Sequence, residues 1–353
     1  MKLAKQFDTQ FTEVVRMIKT AHSHALRSIN HELIDLYWQI GRYISKRVES
    51  EKWGKSVVTV LAMYLKKTLP DSTGYSAQNL WRMKQFYETY QNHPKLSTLL
   101  RELGWSSHLH ILSKSKTMNE REFYVRLSIK ERYSVRELER QIDSGYYERV
   151  ILSKKKVSSP LTQKHPQAVE IFKDAYVLDF LNLPAIHSEK DLQHGIVANL
   201  RDFILEFGKD FTFVGQEYRI QVGKNDYFID LLFFHRGLRC LVMVELKIDD
   251  FKPEYLGKLN FYLETLDRDV KKPDENPSVG IILCKSKDDE VVEYALSRNL
   301  SPALVAEYKT KLIPKQVLQK KLHEYFLLGQ KDEDSHVGWA MPTKKIWKKL
   351  KKL

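Results

Sequence analysis

Two hydrophobic periods divide this chain. Up to about residue 150, apolar positions recur every three or four residues, as in FTEVVRMIKTAHSHALRSI and HELIDLYWQIGRYISKRV. That spacing puts the apolar side chains on one face of a helix. WGKSVVTVLAMYLKKTLP predicts a third helix, ended by Pro70 because proline disfavours helical backbone in the residue before it. Asp71, Ser72 and Gly74 make a turn, and Ser76 then N-caps a fourth helix ending in QFYETY. NEREFYVRLSIKER and SVRELERQIDSGYYERV follow, with Ser134 and Glu137 spaced as a capping box. Residues 151–166, ILSKKKVSSPLTQKHP, lose the period and read as a linker.

Beyond the linker the pattern changes. One more helix, over roughly 188–207, ends at Gly208. Three strand-like runs come next, FTFVGQEYRIQV, YFIDLLFFH and LRCLVMVELK, separated by the turns GKND and HRG. Runs joined by such short polar turns predict hairpins. A helix (EYLGKLNFYLETLDRD), an apolar strand (SVGIILC), a helix from Asp288, a short strand (ALVAEY) and a closing helix with Pro314 near its start complete the order. The order α-β-β-β-α-β-α-β-α predicts a mixed sheet with helices packed against it. The expected fold is therefore α+β in two domains: an all-helical domain over 1–150, the linker over 151–166, an α/β domain over 167–328, and a tail over 329–353.

Charge separates the same segments. Residues 1–160 hold 28 Lys and Arg against 16 Asp and Glu, residues 161–328 hold 23 against 26, and residues 329–353 hold 7 against 3. A basic front half and tail around a near-neutral middle favour a polyanionic partner, nucleic acid first. In the tail, Ile346, Trp347, Leu350 and Leu353 fall on one helical face among six lysines, a pattern suited to an anionic surface or to a disordered solubilising segment. There are two cysteines, Cys240 and Cys284, both within apolar strand-like runs. They read as buried free thiols of a reducing compartment, and a cytoplasmic location is expected. No apolar run is long enough to span a bilayer, and the N-terminus lacks a signal-peptide core, so no membrane partner is expected.

Candidate chemistry lies in DYFIDLLFFHRGLRCLVMVELK, residues 226–247, where Asp230, Glu245 and Lys247 interrupt otherwise apolar strands. A buried charge is costly unless it is paired or binds a metal. Glu245 and Lys247 are two apart on one strand and share a face. Antiparallel pairing about the HRG turn sets Asp230 opposite Val244 or Glu245. Two carboxylates and the Leu246 carbonyl then make a hard-oxygen site for Mg2+ or Mn2+. Lys247 beside it could orient or help deprotonate a water, as phosphodiester hydrolysis requires. The plain alternative is a Lys–carboxylate pair that satisfies itself.

At these residues the sequence resembles the PD-(D/E)xK nucleases, whose signature is an Asp followed ten to thirty residues later by Glu/Asp-x-Lys on an adjacent strand. Most of residues 10–310 resembles the YhcG / DUF1016 family of bacterial nucleases in particular, through YWQIGRYI, GYSAQNLWRMKQFYETY, LGWSSHLHILS, EREFYV, the long run from FVGQEYRIQV to FYLETLD, and PSVGIILCKSKDD. The resemblance implies a restriction-endonuclease-like domain and a Mg2+-dependent endonuclease activity, with DNA as the first-choice substrate. It also implies an acid from the helix before the sheet, for which Glu189, Asp191 and Glu206 are candidates. Gln193 stands where the family often has Glu. Lys258 and Tyr262 resemble the Gln-x-x-x-Tyr element of some relatives, with Lys in place of Gln, and Lys258 could contact the scissile phosphate. The Gln193 departure keeps an alternative open: a catalytically inactive nucleic-acid-binding or protein-interaction module on a nuclease fold.

In the helical half, the helix pair around the DSTG turn has the outline of a helix-turn-helix. Gln78, Asn79, Arg82 and Lys84 would face bases from the second helix, with Lys66 and Lys67 near phosphates. A helical bundle for dimerisation or partner docking fits the same pattern, and a homo-oligomer is compatible with it. Trp105, His108 and His110 lack further ligands nearby and read as packing and capping.

Overall fold

The computed structural model describes residues 2–51, 55–153 and 155–333. The expected amphipathic segment of the tail lies outside the described residues. The chain forms two compact units, residues 1–142 and 143–353.

The first unit is helical. It contains α1 (Lys2–Glu51), α2 (Lys55–Thr68), α3 (Ala77–Tyr90), α4 (Ser97–Arg101), α5 (Trp105–Lys114), α6 (Met118–Glu131) and α7 (Val135–Asp143). Ile44, Val58, Leu80 and Met83 form a core between α1, α2 and α3. Gly41, in the last quarter of α1, is where the α1 and α3 backbones meet: a Cβ there would lie 2.2 Å from the Met83 carbonyl oxygen. Both expected caps form. Ser76 accepts from the Asn79 N–H at 3.2 Å, and Ser134 and Glu137 exchange hydrogen bonds of the capping-box kind.

The second unit contains α8 (Tyr146–Leu152), α9 (Ser159–Lys164), α10 (Ala168–Ile171), β1 (Ala175–Val177), α11 (Glu189–Ala198), α12 (Leu200–Phe207), β2 (Phe211–Val222), β3 (Asn225–His235), β4 (Cys240–Leu246), α13 (Tyr255–Thr265), β5 (Val279–Cys284), α14 (Asp289–Ser297), β6 (Ala303–Lys309) and α15 (Lys315–Glu333). The strands form one mixed sheet in the order β1-β6-β5-β4-β3-β2. β2, β3 and β4 are antiparallel neighbours; β4, β5, β6 and β1 run parallel. Every residue of β4 and of β5 is buried, as strands covered on both faces require. One face packs on α9 to α12 through Leu192, Ile196, Phe203 and Phe207. The other packs on α13 and α14 through Leu259, Leu263, Val292 and Leu296.

Two sequence expectations differ from this fold, and one strand carries no signal in the sequence. Residues 151–166 are not a free linker: Ser158 caps α9 and accepts from the Ala303 N–H at 2.9 Å, and Val157 bridges to Leu304 of β6. The helix expected over 188–207 is two helices that meet at Asn199, whose backbone leaves helical geometry. β1 has only three residues and carries no period to predict it.

Candidate active site

Strand pairing sets the frame. The last register pair of β3 and β4 is Leu231 with Val244, so Asp230 and Glu245 stand together one residue further on. There the Asp230 side chain reaches across, and its Oδ2 accepts the Leu246 N–H at 2.8 Å. From α11, Gln193 donates its side-chain amide to the Asp230 main-chain carbonyl at 2.8 Å.

Glu245 shares its phase along β4 with Leu241 and Met243, which face α13. It is 1 % exposed. Its Oε1 accepts Lys258 Nζ of α13 at 2.6 Å and lies 3.2 Å from Lys247 Nζ. Its Oε2 is buried and has no hydrogen-bond partner among the described residues. Lys247 also donates to both oxygens of Glu189 at 3.1 and 3.2 Å and to the Leu246 carbonyl at 2.8 Å. Of the three acids considered before the sheet, Glu189 is thus the one that meets the Glu-x-Lys strand. Asp191 closes the α11 capping box with Ser188. Glu206 is buried with Arg149, Lys173 and the Val177 N–H.

Electrostatics follow from this crowding. Burial and then the Glu245 charge raise the Asp230 pKa to about 6. Burial works against the charges on both lysines but is outweighed. Glu245 and Glu189 raise Lys247, and the hydrogen bond and charge of Glu245, with Asp230, raise Lys258. Both ammonium groups therefore stay protonated at neutral pH. Tyr262 is 4 % exposed, burial raises its phenol, and Lys258 Nζ sits 5.2 Å from its ring centre. Tyr262 thus supports Lys258 as an aromatic face. Tyr255, two turns earlier on α13, does the same for Lys247 at 5.4 Å while donating its hydroxyl to Asp249 at 2.8 and 2.9 Å. Sequence reasoning missed Tyr255 and Asp249; the seven-residue spacing of Tyr255 and Tyr262, two turns of one helix face, was the available signal.

The donor set suits a hard divalent cation. Glu245 Oε2 is buried without a hydrogen bond among the described residues, and Asp230 is adjacent. Among the described residues no group of three or more His, Cys, Asp or Glu gathers as a metal cage. Mg2+ needs no such cage, because it keeps waters and is commonly held by one or two carboxylates together with substrate phosphate. The Leu246 carbonyl, expected as a third ligand, is instead bonded by Lys247.

The expected nucleic-acid face of the first unit divides. Lys66, Lys67, Gln78 and Arg82 are exposed. Asn79 is not available for bases: its amide donates to Gly74 O at 2.5 Å and accepts Trp105 Nε1 at 2.9 Å. Lys84 is half-buried, paired with Glu88 at 2.5 Å and set against the Trp81 ring. His108 is fully buried beside Phe86, its Nε2 2.7 Å from the Leu100 carbonyl, and burial lowers its pKa to about 4. His110 lies by Glu139. His108 is thus a packing residue. Cys240 and Cys284 are free and buried, with thiols pushed up to about 12. No helix among the described residues is long and apolar enough to cross a membrane.

A mixed sheet that brings an Asp and a Glu-x-Lys to adjacent strand ends, flanked by helices on both faces, is the arrangement of a PD-(D/E)xK nuclease domain. Residues 169–323 match the YhcG PDDEXK nuclease domain, and residues 13–149 match the DUF1016 N-terminal domain. The chain is 34% identical over 348 residues to "Putative nuclease YhcG" of Escherichia coli (strain K12), covering 88% of this chain and 92% of that protein. It belongs to the YhcG nuclease family. Among solved structures, a repair endonuclease from Pyrococcus abyssi is similar at 17% identity and a TM-score of 0.25, over 37% of this chain and half of that one. A likeness that slight carries no argument about function.

Proposed function

We propose that this chain hydrolyses phosphodiester bonds in DNA with a divalent cation, Mg2+ or Mn2+, and that its basic helical unit helps to hold the nucleic acid. The observation that carries this reading is Glu245: a buried carboxylate with one oxygen bonded by two lysines and the other left bare beside Asp230. Asp230 and Glu245 would hold the cation. When bound, it would supply Lewis acidity and a water of lowered pKa. Lys247, held charged between Glu245 and Glu189, orients the attacking water and does not take its proton. Lys258, on the solvent side of Glu245, faces the phosphate and stabilises the charge that grows there. Gln193 fixes the Asp230 backbone and brings no third acid.

Support for DNA comes from the charge of the front half and from exposed Lys66, Lys67, Gln78 and Arg82. One observation favours a second reading. Lys247 and Lys258 already offset Glu245, so the cluster stands without a cation, as a binding module that had lost its chemistry would. Cleavage separates the two. Supercoiled, linear, branched and single-stranded substrates are incubated with Mg2+ or Mn2+, beside Glu245→Ala. The nuclease reading expects metal-dependent product from wild type alone. Salt-sensitive binding without product from wild type would sink it and leave the binding module.

A further inference from the structure

The two oxygens of Glu245 are unequal, and the asymmetry points to how many cations the site accepts. Oε1 holds both ammonium groups, Lys258 at 2.6 Å and Lys247 at 3.2 Å. Oε2 holds none. In two-metal nucleases the ions sit about 3.5–4 Å apart and clamp the attacking and leaving oxygens of the displacement. A carboxylate that bridges two such ions with one oxygen on each needs both of its oxygens free. Here one of the two is already taken by fixed positive charge, and Asp230 has Oδ2 committed to the Leu246 N–H.

Lys258 is placed to do more than balance charge. Its side chain is 44% exposed while Glu245 is 1% exposed. The ammonium therefore bridges the buried carboxylate and open solvent, where a phosphate would arrive. The Tyr262 ring, 5.2 Å away, holds it from behind. α13 sets this position, since Lys258 and Tyr262 are one turn apart and Leu259 and Leu263 anchor the same helix in the core.

We propose, on the metal-nuclease reading above, that Lys258 stands in for a second divalent cation. The site would then take one ion, held by Asp230 and Glu245, and the Lys258 ammonium would supply the other positive charge to the phosphate. The arrangement carries a trade-off. A fixed ammonium beside the ion repels it, so cation binding is weaker than two carboxylates would otherwise give.

Mn2+ titration of the full chain, by calorimetry and by electron paramagnetic resonance, tests this without relying on turnover. Wild type is expected to bind one Mn2+ per chain. Lys258→Gln removes the repulsion and is expected to bind that ion about tenfold more tightly, since an ammonium near a divalent ion repels it and solvent screens that repulsion only in part. Its single-turnover cleavage should meanwhile fall about 100-fold, the usual loss of a group that stabilises transition-state charge. Lys258→Arg keeps the charge and should keep wild-type stoichiometry. Tighter binding with slower cleavage is a combination that a merely structural lysine would not produce. Two ions on wild type, or a Lys258→Gln variant that loses binding and cleavage together, would overturn the inference and leave the nuclease reading standing. Wild type that binds no Mn2+ would overturn both.

Discussion

Replacing Asp230 by Asn should stabilise the cation-free protein, and only at neutral to alkaline pH. Burial and Glu245 lift the Asp230 pKa from its ordinary 3.8 to about 6. The folded state thus holds this proton more tightly than the unfolded chain does. The favourable contribution is complete below about pH 3.8 and is lost as pH rises through 6; above that, an ionised Asp230 is a continuing cost of the fold. A rise of that size corresponds to about 3 kcal/mol. The side chain is partly exposed, and solvent screening reduces the figure to about 1–2 kcal/mol. Asn cannot ionise, yet its oxygen can still accept the Leu246 N–H. In EDTA at pH 8, Asp230→Asn should unfold at higher denaturant by that amount, or melt roughly 3–6 °C higher. At pH 4 the two proteins should coincide. Adding Mg2+ should stabilise wild type and leave the variant unchanged. An Asp230→Asn protein no more stable than wild type at pH 8 would refute the reasoning, since it would mean that the carboxylate is not strained by burial.

Gln193→Glu exchanges a donor for an acceptor against the Asp230 carbonyl, and should cost about 1–3 kcal/mol at pH 8 by chemical denaturation, less at pH 5 where the new acid is neutralised. His108 is neutral and buried, with its pKa lowered to about 4, so its contribution is present above pH 6.5 and lost as pH falls toward 4. The helical unit should lose up to about 3 kcal/mol over that window, and His108→Gln should flatten the slope. Gly41→Ala drives a methyl into the Met83 carbonyl and should destabilise the helical unit by about 1–3 kcal/mol, with no effect on Mn2+ binding.

Much of the site was legible because its chemistry breaks a pattern. Asp230, Glu245 and Lys247 stand out as charges in apolar strands, and the HRG turn fixes which residues face each other. The structure pairs Leu231 with Val244, as that turn implies. Contacts made across long loops were not legible. Glu189 and Glu206 look alike as helical acids, yet one meets Lys247 and the other is neutralised by Arg149 and Lys173. Nothing local separates them: Glu189 opens α11 beside Lys247 at the end of β4, whereas Glu206 near the end of α12 meets the Val177 N–H of β1. Asn79 has the position of a base-reading residue, but a tryptophan 26 residues further on takes its oxygen. Short segments fail for another reason. β1 is recruited by the edge of β6, and three residues cannot display a period of two.

The hydrogen bond from the Leu246 amide to Asp230 also gives the molecule a native gauge. An amide proton donated to a carboxylate shifts its resonance when that carboxylate gains a proton or a cation. The Leu246 signal, followed through a pH series and then a Mg2+ series, would read the state of the acid in the unaltered chain. The geometry that holds Asp230 in place also allows it to be observed without substitution.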